Sequence, residues 1–178
     1  WTNKASHRLS QWMKHPDDRS EFLHTVWYEA RRAGLSLSLV LGLIEVESAF
    51  RKYAISSAGA RGYMQVMPFW TRSIGDGNES VLFHTQTQLR FGCVILRHML
   101  EREKGDLFYA LGRYNGSRGQ SAYPQSVLAA QKKLLLYCSL FSSVRLVRTS
   151  FIWATRSKAS SCCCCFCSAS CCLAFLQS

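Results

Sequence analysis

The sequence predicts an all-α domain built around one buried central helix, and three observations predict it. Apolar residues recur at helical spacing between recognisable start and stop signals. One stretch, Leu39 to Val46, is apolar almost without interruption. No segment shows the period-two alternation of a half-buried strand, and no internal repeat appears. With 178 residues, 48% of them hydrophobic and 12% aromatic, the chain is long enough for one domain with a real core.

The elements follow in chain order. Residues 1–19 are polar and aperiodic and read as a leader or linker. Asp18 followed by Glu21 resembles a capping box and predicts a helix to about Ala33, with Phe22, Val26, Trp27 and Ala30 on one face and Gly34 as its stop. A second helix is expected from Ser36 or Ser38 to about Phe50, buried all round. A small-residue turn follows, Ser56-Ser57-Ala58-Gly59-Ala60-Arg61-Gly62, then Tyr63-Met64-Gln65-Val66-Met67-Pro68. Its two glycines suit special backbone geometry or close approach of a ligand. Pro68 fits the start of a short helix over Phe69–Ile74. Residues 86–103 read as a long amphipathic helix with Leu89, Val94, Leu96 and Leu100 among its apolar members. Asp106 then caps a helix through Tyr114, stopped by Asn115-Gly116, and Tyr123-Pro124 opens a last one.

Composition divides the chain near residue 131. Of nine cysteines only Cys93 lies before that point, and residues 132–178 hold six basic residues and no acidic one. The end, Ser160 to Cys167, is low in complexity, and its adjacent cysteines alternate direction where metal ligands must converge. We read residues 132–178 as a basic, Cys/Ser-rich tail outside the functional fold, with the character of read-through or frame-shifted sequence, and residues 20–131 as the domain proper. The chain opens on Trp1, which reads as a fragment or a processed end. A net charge of +11 favours anionic partners in general. No nucleic-acid-binding signature accompanies it, so nucleic acid is not expected as a partner.

The central helix carries a carboxylate, Glu47, near its end. At helical spacing Leu43, Ile44 and Phe50 neighbour it, which desolvates the group, and the helix C-terminus disfavours an anion. Both effects push the pKa upward, as a general acid near neutral pH requires. Glu45 points to another face. A glycosidase with two carboxylates needs a second one across the cleft. Asp76, Glu79, Glu101, Glu103 and Asp106 are available, but none sits in a motif. On spacing alone Glu47 could equally be a structural group capping the following loop.

Three segments then speak together. Glu47-Ser48-Ala49-Phe50, Ser56 through Pro68, and Ala110-Leu111-Gly112-Arg113-Tyr114-Asn115-Gly116 resemble, in order and spacing, the signatures of the soluble lytic transglycosylase (SLT) family. The resemblance covers residues 20–131 and none of the tail. It implies a lysozyme-like α domain that cleaves the β-1,4 bond between N-acetylmuramic acid and N-acetylglucosamine in peptidoglycan. Glu47 would protonate the glycosidic oxygen, then act as base on the muramoyl C6 hydroxyl to close a 1,6-anhydro ring. No metal or organic cofactor is implied. By position Ser56, Gln65 and Met67 resemble substrate-contacting residues, Tyr114 the tyrosine close to the acid, and Asn115 its neighbour. Each also has a plainer reading as a turn former, core side chain or helix stop. One departure is Gln88, where the family often has an asparagine.

A lysozyme-type hydrolase on the same scaffold, or a glycan-binding or assembly module with little activity, are the alternatives. The expected partner is the glycan strand of peptidoglycan, with cell-envelope or secretion machinery possible, and the protein is expected to be a monomer. The substrate places it outside the cytoplasmic membrane, in the periplasm or cell envelope. His24 and His98 lack ligand spacing, Cys93 reads as a small buried apolar residue, and Arg31, Arg32, Arg51 and Lys52 read as solvated surface.

Overall fold

A computed structural model describes residues 2–135. Seven helices and one short 3-10 helix make up these residues: α1 (Thr2–Leu9), α2 (Pro16–Arg32), α3 (Leu37–Ser48), α4 (Phe69–Ile74), the 3-10 helix (Glu79–Phe83), α5 (Thr85–Arg102), α6 (Leu107–Asn115) and α7 (residues 122–135). Among the described residues there is no strand. Isolated bridges join Arg61 to Ile55 and to Val66 inside the long loop after α3.

The central helix starts where Ser36 accepts a hydrogen bond from the Leu39 N–H, the side-chain cap that an N-terminal serine supplies. Leu39, Val40, Leu41, Leu43 and Ile44 are at most 5% exposed, so most of α3 is enclosed as its composition predicts. Its last turn is different: Val46 is exposed and Glu45 and Glu47 are half-buried. The helix also ends at Ser48, short of the expected Phe50, because Ala49 and Phe50 both adopt left-handed backbone angles (φ 49° and 59°) that turn the chain out of the helix.

Three further expectations are corrected. The segment 1–19 is not an aperiodic leader throughout. Thr2–Leu9 is helical, Ala5 and Leu9 enter the core, and the Arg8 guanidinium pairs with Glu45 at 3.1 Å. Eight residues with only two buried apolar positions leave too short a period to read from sequence. The second helix opens at Pro16 with no side-chain cap, not at an Asp18 capping box, since proline fits the first helical position without losing a needed N–H. Its inner face is Phe22, Leu23, Val26, Glu29 and Ala30, while Trp27 is half-exposed beneath the Arg31 guanidinium. Val94 likewise faces outward from α5.

Glu29 is buried on that inner face and is matched by Arg90 of α5 at 3.0 Å and Arg32 at 3.5 Å. A buried carboxylate without such partners would be costly. Cys93 is buried on α5, as expected, and burial pushes its thiol up to about 12. Helix α7 runs past residue 131 and places Leu134 in the core, so the fold extends beyond the composition boundary. The cysteine-rich end of the chain lies outside the described residues. No helix among the described residues is long and apolar enough to cross a membrane.

Helix α7 reaches α3 at Gly42. A Cβ there would meet the Gln131 N–H nitrogen at 2.8 Å and the Val127 carbonyl at 3.1 Å, both backbone atoms. Only a glycine permits this approach. Gly42→Ala is therefore expected to lower stability by about 1–3 kcal/mol through overpacking, even though alanine is the better helix former by about 1 kcal/mol. Urea unfolding of the two proteins checks this.

Candidate active site

Glu47 stands on the last turn of α3, and the chain beyond it is tied down at once. The buried Ser48 hydroxyl donates to the Tyr63 carbonyl at 2.7 Å, with the Ile44 carbonyl at 3.3 Å, fixing the helix end to the loop that follows. That loop is closed on itself. Ser56 accepts from the Ala60 N–H through its hydroxyl at 3.0 Å and donates its own N–H to the Ala60 carbonyl at 3.0 Å. Gln65, at φ 49°, donates from its amide to the Ala54 and Gly62 carbonyls at 3.2 and 2.9 Å.

Helix α5 supports the loop from beneath. Gly62 has φ +75°, and a Cβ on it would meet the Leu82 carbonyl at 2.8 Å and the Gln88 side chain at 2.9 Å. Gln88, buried, donates to the Arg61 carbonyl at 3.2 Å. The glutamine that departs from the family pattern thus holds the loop in place. Tyr114 reaches in from α6 and donates to the Met64 carbonyl at 2.8 Å.

The group that touches Glu47 is Tyr123, in the first turn of α7. Its hydroxyl donates to Glu47 Oε1. The sequence marks Tyr123 only as half of a Tyr-Pro helix opening and gives no sign of its place in the site. Pro124 keeps α7 starting at that point without needing an N–H, which fixes where Tyr123 enters. Gln131 adds a contact from its amide to the Ser38 hydroxyl at 3.4 Å.

Burial pushes the Glu47 pKa up to about 7, and the hydrogen bond from Tyr123 opposes that rise. No Lys, Arg or His nitrogen among the described residues lies within ion-pair distance of it. Burial, with the Glu47 charge next in importance, raises both the Tyr114 and Tyr123 hydroxyls well above their ordinary value, so both stay protonated donors.

The predicted site residues are thus distributed unevenly. Tyr114 is close enough to feel the Glu47 charge, yet spends its proton on the loop. Ser56 and Gln65 are engaged in holding the loop. Met67 is half-buried beside Pro68. Asn115 is exposed at the end of α6, where its carbonyl oxygen accepts from the Ser117 hydroxyl at 3.0 Å. The five other carboxylates considered from sequence are all occupied: Glu79 with Arg61 and Arg72, Glu101 with Arg97, Glu103 with Arg113 and Arg118, Asp106 as the α6 cap, and Asp76 accepting from the Asn78 N–H. Among the described residues, no cluster of His, Cys, Asp and Glu is arranged to hold a metal ion.

The helical fold of the described residues is shared by solved lytic transglycosylases. The 70 kDa soluble lytic transglycosylase of Escherichia coli superposes with a TM-score of 0.53 at 19% identity, over 59% of this chain and 22% of that one. The lytic transglycosylase Slt of Pseudomonas aeruginosa, solved as an inactive glutamate-to-glutamine mutant, gives 0.52 at 23% identity over 80% of this chain and 28% of that one. These establish the fold. Residues 25–134 match the family described as the transglycosylase SLT domain, and the chain belongs to that family. Membrane-bound lytic murein transglycosylase C of Glaesserella parasuis is 51% identical over 47 residues, and that of Actinobacillus pleuropneumoniae serotype 5b is 52% identical over 48. The matched stretch is about a quarter of this chain and 13% of the length of those relatives.

The raised pKa makes folding stability depend on pH. Below the ordinary carboxylate value of 4.5 Glu47 is protonated in folded and unfolded chains alike, whereas above about 7 the folded chain holds a buried anion. Stability contributed by the neutral form is therefore complete below pH 4.5 and lost as pH rises to about 7. Relative to Glu47→Gln, the wild type should lose about 3 kcal/mol between pH 4.5 and pH 8. Denaturant unfolding of both proteins across that range measures it.

Proposed function

We propose that this chain is a peptidoglycan lytic transglycosylase that cleaves the β-1,4 bond between N-acetylmuramic acid and N-acetylglucosamine without adding water. Glu47 serves as the general acid and then the base. The observation that carries this is the state of Glu47: a carboxylate held protonated to near-neutral pH, hydrogen-bonded by a tyrosine and with no cation within ion-pair distance among the described residues. In that state it can give its proton to a glycosidic oxygen, and as the resulting carboxylate it can take one from the muramoyl C6 hydroxyl. Bond cleavage and ring closure then leave a 1,6-anhydro end, with the proton returned to Glu47.

The occupied state of the other carboxylates favours this route over a two-carboxylate hydrolase. Neither cause of the Glu47 shift is the charge of a second acid. Tyr123 would orient the Glu47 carboxyl, and Tyr114 would hold the Met64 carbonyl and with it the loop. Ser56, Gln65, Met67 and Asn115 remain substrate-contact candidates by resemblance. In this reading Ser56 and Gln65 act chiefly by shaping the loop. The relatives are named as membrane-bound murein enzymes, and the cell envelope is the place where such a substrate is met.

Incubation of the full chain with purified sacculi, followed by mass spectrometry of the soluble products, tests the reaction. Anhydro-muropeptides that disappear with Glu47→Gln are expected. Reducing-end products would overturn the non-hydrolytic route. Product release should also fall as pH rises through about 7, where Glu47 loses its proton. Tyr123→Phe should move that fall to higher pH, because it removes the hydrogen bond that favours the anion, and lower the rate by about 10-fold or more through looser positioning of the acid. A pH–rate profile of wild type and variant separates the two effects.

A further inference from the structure

A cavity of about 440 Å³ opens beside the segment that joins α1 to α2. Four aromatic rings in series form one wall. Trp12 and Phe50 lie 4.9 Å apart between centroids, Phe50 and Phe22 6.1 Å, and Phe22 and Tyr63 4.7 Å. The same cavity is lined by charges of both signs, Lys14 and Lys52 on one hand and Asp18 and Glu21 on the other. None of these four forms an ion pair among the described residues. Lys52 instead sits 5.4 Å from the centroid of the Tyr53 ring.

Solvated surface is the ordinary explanation for such charges, and Asp18 also suits the first turn of α2 through the helix dipole. Lys14 and Glu21 are exposed and Lys52 is half-buried, and all three line the same built hollow. The wall carrying Trp12, Met13 and Lys14 is fixed: Arg19 donates to the Met13 and Lys14 carbonyls at 2.7 and 2.9 Å and to the Ser6 hydroxyl at 3.1 Å. The wall carrying Phe50 is set by the left-handed pair Ala49–Phe50, a conformation uncommon for residues with side chains. Charges of both signs, not paired with one another and set around a wall of aromatic rings, match one kind of ligand.

We propose that this cavity binds a zwitterion: an ammonium group facing Asp18 and Glu21, a carboxylate facing Lys14 and Lys52, and an apolar stem against the aromatic wall. Amino acids and the ends of short peptides have this chemistry, whether free or carried on a glycan strand. The proposal does not rest on the reaction assigned to Glu47, because binding is read without turnover.

The test titrates the full chain with ε-aminocaproate while following the Trp12 indole N–H resonance, assigned with a Trp12→Tyr variant. Caproate and hexylamine, each carrying one of the two charges, run in parallel. A saturable shift is expected with the zwitterion, and binding about 10-fold weaker for either single-charge probe, the scale of one charge-assisted contact. Lys52→Gln and Glu21→Gln should each weaken the zwitterion by about 10-fold with an unchanged unfolding midpoint. No saturable shift, equal binding of caproate, or two variants without effect would each overturn the proposal. Peptide-bearing glycan fragments are then compared with the same fragments stripped of peptide. A shift confined to the peptide-bearing fragments assigns the ligand to the glycan strand; equal shifts from both overturn recognition of the zwitterion.

Discussion

The structure depends on one constraint: a carboxylate is partly buried at the end of the central helix, with no cation within ion-pair distance of it among the described residues. An isolated buried anion is expensive, so the group must be neutralised or hydrogen-bonded. Here both occur, through the raised pKa and through Tyr123. Helix α7, which carries Tyr123, lies against the α3 backbone at Gly42, where a Cβ would meet the Gln131 backbone nitrogen at 2.8 Å. The packing of α3 and the setting of its last glutamate therefore share the same neighbour.

The loop after α3 is the second dependency. It has no regular strand, and side chains supplement its backbone bonds: Ser48 for Tyr63, Gln65 for Ala54 and Gly62, Gln88 for Arg61, and Tyr114 for Met64. Helices α3, α5 and α6 and the loop's own Gln65 thereby agree on the position of residues 54–66. Buried carbonyls left unpaired would each cost about 1–3 kcal/mol, which explains why Ser48 and Tyr114 reach the Tyr63 and Met64 carbonyls in a loop that contains little secondary structure. Several residues that resemble substrate contacts are thus part of the scaffold that would present the substrate.

Much of the fold was legible because its signals are local. Ser36, Pro68, Asp106 and Gly116 mark helix boundaries by chemistry that needs no tertiary context. The all-apolar run of α3 announced its burial, and Glu47 stood out as the exception within it. What could not be read was long-range. Tyr123 lies 76 positions from Glu47, and Arg8 lies 37 from Glu45; no periodicity joins such pairs. Trp27 misled for a different reason, since an aromatic residue at helical spacing can lie flat under an arginine outside the core. The burial of Glu29 was hidden because its neutralising partner, Arg90, belongs to another helix.

The choice of partner for each acid shows what distinguishes Glu47. Glu103 is held by Arg118 and Arg113, and those hydrogen bonds draw its pKa down to about 2. A carboxylate in that setting is a fixed anion and has no proton to give near neutral pH. Glu29, Glu45, Glu79 and Glu101 are likewise paired with arginines. Glu47 alone in this set meets a phenol. A tyrosine hydroxyl orients the carboxyl group and donates to it while adding no positive charge, so the group keeps an accessible neutral form. An arginine at the same point would stabilise the anion and remove the acid. With twenty-two lysines and arginines in the chain, the absence of a cation beside Glu47 among the described residues is the feature that most directly separates this carboxylate from the structural ion pairs.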